Sequence, residues 1–289
     1  MENTFLAFIG GSGLYDLPGI TNVREEEVST PFGSPSDKIV IGEINNKPVA
    51  FLPRHGKGHR FLPSEVNNRA NIYALKKLGV THILSISAVG SLQKELAPGS
   101  AVIPNQILDM TNGRKESFFG DGIVGHVSFA DPFCAQLQNY LKQSLEQEHV
   151  LFHAEKTLVT IRGPRFNTRA ESIMCKNLGA DIVGMTAVPE AVLAREAEIA
   201  YATLAFVTDY DSWRVEAEPV TVEMVMEVLK HNVETSKRIA LAFHKLLPEK
   251  TMNPIFNAAQ HAIMTNSELI PQETKRNLNL LYGKYWSQK

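Results

Sequence analysis

The stretch GMTAVPEAVLAREAEIAYATLAFVTDYDSW, residues 184–213, decides how this chain is read. It passes through a loop, a short helix and a buried strand to a polar tip. Ile199 to Val207 is apolar except for Thr203, the pattern of a central strand covered on both faces. Thr208, Asp209, Tyr210 and Asp211 follow at once. Two carboxylates beyond the end of a buried strand serve packing badly. They serve a site well, because open α/β sheets bind ligands outside the carboxyl ends of their strands.

Working outward, other strands end in the same manner. Phe5 to Ile9 is a short apolar run that opens into Gly10, Gly11, Ser12 and Gly13. Such a loop can aim backbone N–H groups at an anion, although Asp16 stands where a dinucleotide fingerprint needs its third glycine. Ile39 to Ile44 and Pro48 to Leu52 flank Asn45-Asn46-Lys47, a hairpin signal, and exit into Arg54-His55-Gly56-Lys57-Gly58-His59-Arg60. Three readings of that segment compete: a metal site at His55 and His59, a solvated loop, and an anion clamp built on the Arg fork. Ser64 is expected to cap a helix from about Glu65 to Leu78. Thr81 to Ser87 is a strand ending in Ala88-Val89-Gly90-Ser91, and Ser100 to Pro104 is another. The polar segment 105–131 is too long for a mere connection.

A helix is expected near Pro132 to Glu148, then a strand over Thr157–Ile161. Thr168-Arg169-Ala170-Glu171 is a capping box for a further helix, followed by a short strand over Asp181–Gly184. Thr221 begins a long helix on which Val222, Val225, Met226, Leu229 and Val233 keep helical spacing. Residues 249–289 are polar and Asn/Gln-rich, with one helix over 271–282. They are read as an extension of a 1–248 domain.

Alternating strands and helices make the fold α/β, with a mixed central sheet because the hairpin is antiparallel. Of 289 residues, 44% are hydrophobic and 21% charged, with a net charge of -2. That balance is ordinary for a globular protein and gives no electrostatic footprint for nucleic acid. Two cysteines and no membrane-length apolar run fit a cytoplasmic protein. The candidate groups at strand ends are Ser12, Arg54, His55, Ser87, Ala88, Met185, Thr186, Asp209 and Asp211. The hydroxyls, Arg, His and loop amides suit phosphate. The two acids suit a ligand with N–H donors or a ring nitrogen to protonate.

The segments IGGSGLYDL (9–17), TPFGSPSD (30–37), RHGKGHRFLPSEVNNRANIYALKKLG (54–79), SAVGSL (87–92), FADPFC (129–134), IRGPRFNTRAES (161–172), GMTAVPEAVLA (184–194) and TDYDSW (208–213) carry a resemblance. The chain resembles the trimeric purine nucleoside phosphorylase superfamily, and within it the 5′-methylthioadenosine phosphorylases, over roughly residues 5 to 240. The resemblance implies reversible phosphorolysis of an N-glycosidic bond, with phosphate as co-substrate and no metal or other cofactor. It implies a phosphate pocket of Ser12, Arg54, His55, Ser87, Ala88 and Thr186, with Ser12 and His55 beside the reacting atoms. Met185 would pack against the ribose and Phe166 against the purine. Asn167 stands where relatives usually carry Ser or Thr. Val222 would wall a methylthio group, and His126 of a neighbouring subunit would close the 5′ pocket, which implies a homotrimer, with a hexamer as the alternative.

Phosphorolysis builds negative charge on the departing base, so a protonated acid at N7 helps it leave. The expectation puts that proton on Asp209 and lets Asp211 accept from a 6-amino group. Three other activities stay open at this point. They are a wider or 6-oxopurine nucleoside specificity, hydrolysis in place of phosphorolysis, and nucleoside binding without turnover. Thr186 and the Arg54-His55 pair argue against hydrolysis, which needs a carboxylate to activate water.

Overall fold

The computed structural model describes residues 2–11, 17–214 and 221–286. In chain order its elements are β1 (Glu2–Asn3), β2 (Leu6–Gly10), β3 (Thr21–Glu26), β4 (Ile39–Ile44), β5 (Lys47–Pro53), α1 (Asn68–Lys77), β6 (His82–Ser91), β7 (Ala101–Met110), α2 (Ala135–Gln147), β8 (Phe152–Ile161), α3 (Arg169–Asn177), β9 (Ile182–Gly184), α4 (Ala187–Glu196), β10 (Ala200–Asp209), α5 (Val222–Leu246), β11 (Lys250–Thr251) and α6 (Gln272–Trp286). Every residue of β10 is buried, as its apolar run requires. It lies parallel to β6, from Ala200 opposite His82 to Val207 opposite Val89, and antiparallel to β7.

The sheet is mixed, and one half of it closes on itself. β7 pairs with β8, β8 with β9, and β9 returns to β6, so β6, β10, β7, β8 and β9 form a ring. From β6 the sheet continues outward as β2, β5, β4 and β3. Closure removes the β10 edge, leaving β3 as the sheet's free edge among the described residues, and brings the ends of β6, β9 and β10 together. Asn45 and Asn46 turn the β4–β5 hairpin at φ of 52° and 61°, a conformation Asn tolerates better than most side chains.

Apolar faces are buried on both sides. Ile9, Leu52, Ile83, Ile199 and Tyr201 pack with Ile72 and Leu75 of α1 and Leu193 of α4. Leu6, Phe8, Phe51, Leu84, Leu204 and Phe206 pack with Leu137 and Leu141 of α2 and Ile239 and Phe243 of α5. Each such side chain is worth about 1.5–3 kcal/mol of transfer free energy. The final segment joins the first cluster through Ala259, Ile270, Leu278, Leu281 and Tyr282. β11 pairs with β1, and the buried Glu198 carboxylate accepts from Ala259 N at 3.0 Å, Tyr285 Oη at 2.6 Å and Lys284 Nζ at 2.6 Å.

Some boundaries differ from the sequence expectation. α1 starts at Asn68, and its cap is Asn67, whose side chain accepts from Ala70 N. Ser64 fails as the cap because Glu65 N and Val66 N both turn back to Leu62 O. β6 does not stop at Ser87 but runs to Ser91, and β7 reaches Met110. Their polar ends stay in the sheet because β8, β9 and β10 supply backbone partners. The capping box at Thr168 and Glu171 is present with both of its hydrogen bonds. The side chains of Val225 and Leu229 lie outside the described residues. No helix among the described residues is long and apolar enough to cross a membrane.

Candidate active site

β9 runs antiparallel beside the exit of β6, with Val183 opposite Gly90, and this register builds the site. At Gly90 a Cβ would stand 2.9 Å from Asp209 Oδ1, 3.1 Å from Val183 Cγ1 and 3.2 Å from Asp211 Cβ. Glycine is needed there so that three strand ends can meet. Asp209 is the last residue of β10 rather than a residue beyond it, and Asp211 follows in a turn at φ 47°. Both carboxylates are only 6% exposed.

Their partners are neutral donors. Asp209 Oδ1 accepts from Asp211 N at 2.7 Å and Oδ2 from Thr208 Oγ1 at 2.7 Å. Asp211 Oδ2 accepts from Ser172 Oγ at 2.5 Å and from Asn167 Nδ2 at 3.2 Å. Burial raises the Asp209 carboxyl above the usual range. The Thr208 and Asp211 N–H donors oppose that rise, and the nearby Asp211 charge adds to it. An acid so placed is shifted toward the form that carries a proton.

Just past the end of β5 stands an engaged cation. Arg54, 4% exposed, donates from Nε to Glu190 Oε2 at 2.8 Å and from Nη2 to Oε1 at 3.0 Å. Nη2 also meets Ser85 Oγ at 2.6 Å and Ile9 O at 3.3 Å, and Nη1 donates to Ile86 O at 3.2 Å. Burial disfavours the cation, and the Glu190 carboxylate more than offsets it. Tyr201 Oη completes the group, donating to Glu190 Oε1 at 2.8 Å. Of five guanidinium N–H groups, one on Nη1 is left to address an anion. The two-pronged fork expected from sequence is already spent on Glu190.

His55 is also changed by its setting. Its Nδ1 bonds Phe61 O at 2.9 Å, so the tautomer with Nδ1–H is selected and Nε2 is left as an acceptor. Burial and the neighbouring Arg54 charge lower the imidazole to about 4. The ring is therefore neutral near pH 7. His59 stacks on it at 4.3 Å, and no group of three His, Cys, Asp or Glu able to hold a metal occurs among the described residues.

Thr186 occupies the N-cap of α4, and its side chain makes no capping bond. Met185 lies against Gly163, where a Cβ would stand 2.6 Å from Met185 Sδ. Ile161, Gly163 and Asn167 line, with Met110, Met174 and Cys175, a cavity of about 450 Å³, a size suited to a small ligand.

Comparison with known proteins agrees with this architecture. The family model of the phosphorylase superfamily matches residues 5–245. The chain belongs to the phosphorylase superfamily. A curated S-methyl-5′-thioadenosine phosphorylase of Chloroflexus aurantiacus is 49% identical over 99% of this chain and 100% of its own length. One from Geobacter sulfurreducens is 46% identical over 97% and 98%. A crystal structure of a methylthioadenosine phosphorylase from an antarctic soil metagenomic library superposes with a TM-score of 0.92 at 47% identity, covering 97% of this chain and 99% of that one. A Schistosoma mansoni methylthioadenosine phosphorylase in complex with adenine superposes with a TM-score of 0.84 at 42% identity, covering 89% and 96%. The Chloroflexus relative and the metagenomic structure also match beyond the residues of the sequence resemblance, which ended near 240.

Within this superfamily fold, the sequence-selected residues fall into separate groups. Asp209, Asp211 and Asn167 form one group, Arg54 and His55 another, and Met185 and Thr186 a third. Ser87 and Ala88 lie in β6, half-buried. Phe166 is 37% exposed and Val222 62% exposed. His126 is exposed, with its N–H on Ala262 O. Ser12 lies outside the described residues. Sequence reading missed Glu190, Tyr201, Ser172 and Arg114. Glu190 alone had a local signal, as an acid inside the otherwise apolar run from Ala187 to Ala194.

Proposed function

We propose that this chain catalyses the phosphate-dependent cleavage of 5′-methylthioadenosine to adenine and 5-methylthioribose 1-phosphate, a pentosyl transfer in purine and methionine salvage. A phosphate oxygen attacks C1′ as the C1′–N9 bond breaks, and the bonding pair leaves with the purine. Asp209 gives its proton to N7, and Asp211 accepts a hydrogen bond from the 6-amino group through Oδ1, the oxygen with no donor among the described residues. The observation that carries this reading is that pair. One buried acid is pushed toward its protonated form, beside a second acid fixed by Ser172 and Asn167. A carboxylate accepts from a 6-amino group and repels a 6-oxo group, so the pair favours adenine. The curated relatives and the adenine-bound neighbour support the same substrate.

Phosphate would lie against Arg54 Nη1, the Thr186 hydroxyl and α4 N–H groups, Ser87, Ala88 and Ser12. The acceptor Nε2 of His55 would take a proton carried by phosphate. Met185 and Phe166 would hold sugar and base. Val222 would cover the methylthio group, and His126 of an adjoining copy in a homotrimer would reach the 5′ end. The reading needs no cofactor and suits the cytoplasm. The groups assigned here all precede residue 249, so residues 1–248 are the phosphorylase domain and the remainder an extension that braces it.

The test is base release from methylthioadenosine, adenosine and methylthioinosine, each with and without phosphate. The proposal expects adenine from methylthioadenosine only with phosphate present. Equal release without phosphate would refute phosphorolysis, and faster hypoxanthine than adenine release would refute the assignment of the acids.

A further inference from the structure

Arg114 follows β7 on the long segment that leads to His126, and its guanidinium reaches back between two strand ends. Nη1 donates to Met185 O at 2.8 Å and to Val188 O. Nη2 donates to Arg162 O at 2.9 Å and to Ile161 O at 3.4 Å. All four acceptors are backbone carbonyls. Burial works against this cation, and Asp109 and Glu116 support it through their charge. Taking a guanidinium partly out of water to meet only carbonyl dipoles is an expensive way to join two loops. Apolar packing would do so at lower cost.

What the guanidinium holds explains its use. Met185 O and Val188 O bracket Thr186 and Ala187, so one nitrogen fixes the loop that enters α4. Ile161 O and Arg162 O precede Gly163, whose backbone touches the Met185 side chain, and Phe166 and Asn167 follow. The second nitrogen therefore fixes the facing loop. A planar fork can address both loops at once, whereas a lysine ammonium is a single point. We infer that Arg114 is a positioning residue, setting the separation between the Met185–Thr186 loop and the 161–167 loop and hence the width of the sugar cleft. The inference rests on the reading of Met185 and Thr186 as the sugar and phosphate side of the site. Asp209 is held by Thr208 and the Asp211 N–H, and Asp211 by Ser172 of α3, so of the acid tip's bonds only the one from Asn167 depends on the 161–167 loop.

The test compares full-length Arg114→Ala and Arg114→Lys with the wild type in kcat/KM for methylthioadenosine and in calorimetric affinity for adenine. A small misplacement of reacting groups costs about tenfold to a hundredfold in rate. That loss in kcat/KM is expected for both variants, with adenine affinity within about twofold. Millimolar guanidinium is expected to restore part of the Arg114→Ala rate and none of the Arg114→Lys rate. Parallel losses of adenine affinity and turnover would show a general folding role and overturn the inference, as would unchanged turnover. If Arg114→Ala does not fold, Arg114→Lys decides by the same two numbers. Wild type that releases no adenine would refute the phosphorylase reading. Arg114 is then judged by the affinity of Arg114→Lys for methylthioadenosine against adenine, where equal losses overturn the inference.

Discussion

Glu190 and Asp209 are buried acids from one stretch of chain, and the fold treats them in opposite ways. Glu190, 1% exposed, meets a guanidinium through both oxygens and a phenol through one. Asp209, 6% exposed, meets a hydroxyl and a backbone N–H and stands near another acid. A carboxylate with a cation on both oxygens is compensated and fixed. One with neutral donors is pushed toward the protonated form by burial. The difference separates a group that holds the anion-facing wall from a group that can deliver a proton.

Removing the compensation is the strongest way to break the contrast. Glu190→Gln leaves Arg54 buried without its partner and is expected to lose about 3–5 kcal/mol in denaturant unfolding. The double variant Arg54→Met with Glu190→Leu should recover most of that stability, because apolar replacement of a buried pair is often neutral. It should still lack phosphate-dependent turnover. A double variant that turns over normally would remove Arg54 from the site.

Glu196 sharpens the comparison from outside the site. It too is buried among neutral donors, accepting from Ser117 Oγ at 2.8 Å and Phe118 N at 2.7 Å, and burial raises it from 4.5 to about 7. Its folded value is the raised one, so its contribution is complete below about 4.5 and is lost as pH rises through about 7. Wild-type stability should fall by about 3 kcal/mol across that window from this group alone. Glu196→Gln should flatten the slope, and an unchanged slope would refute the assignment.

Smaller effects test the second acid and the phenol. Ser172→Ala removes the 2.5 Å donor to Asp211. The ratio of adenine to hypoxanthine release should fall about tenfold, since a hydrogen bond to a charged group is worth about 1.5–3 kcal/mol. A constant ratio would place base selection elsewhere. Tyr201→Phe deletes one donor to Glu190 and should cost about 1 kcal/mol of stability, with adenine release per turnover unchanged.

The legible parts of the molecule were those written locally. The Thr168–Glu171 box and the Asn45-Asn46 turn encode their own hydrogen bonds, and the all-buried β10 is visible as an apolar run. Ring closure was not legible, because β9 finds β6 across the intervening β7, α2, β8 and α3, and only three of its residues form the strand. The same long reach hid the length of β6 and β7, whose polar ends read as loops. The acids were found by position, but their partners were not. Ser172 sits inside a helix whose pattern explained it, Glu190 stood out as an acid in an apolar run without revealing its partner, and Arg114 stood in a segment marked only by its length and polarity. Arg54 was read as an anion clamp, yet Glu190, Ser85 and two backbone carbonyls take up all but one of its donors, which no local pattern could reveal.

The central claim is that Asp209 supplies the proton to the leaving base. The most direct measurement is kcat of Asp209→Asn with methylthioadenosine and saturating phosphate, in a variant whose unfolding midpoint matches wild type. The account predicts a fall of at least about 10²-fold, the scale of general-acid catalysis. A rate within a few-fold of wild type would contradict it.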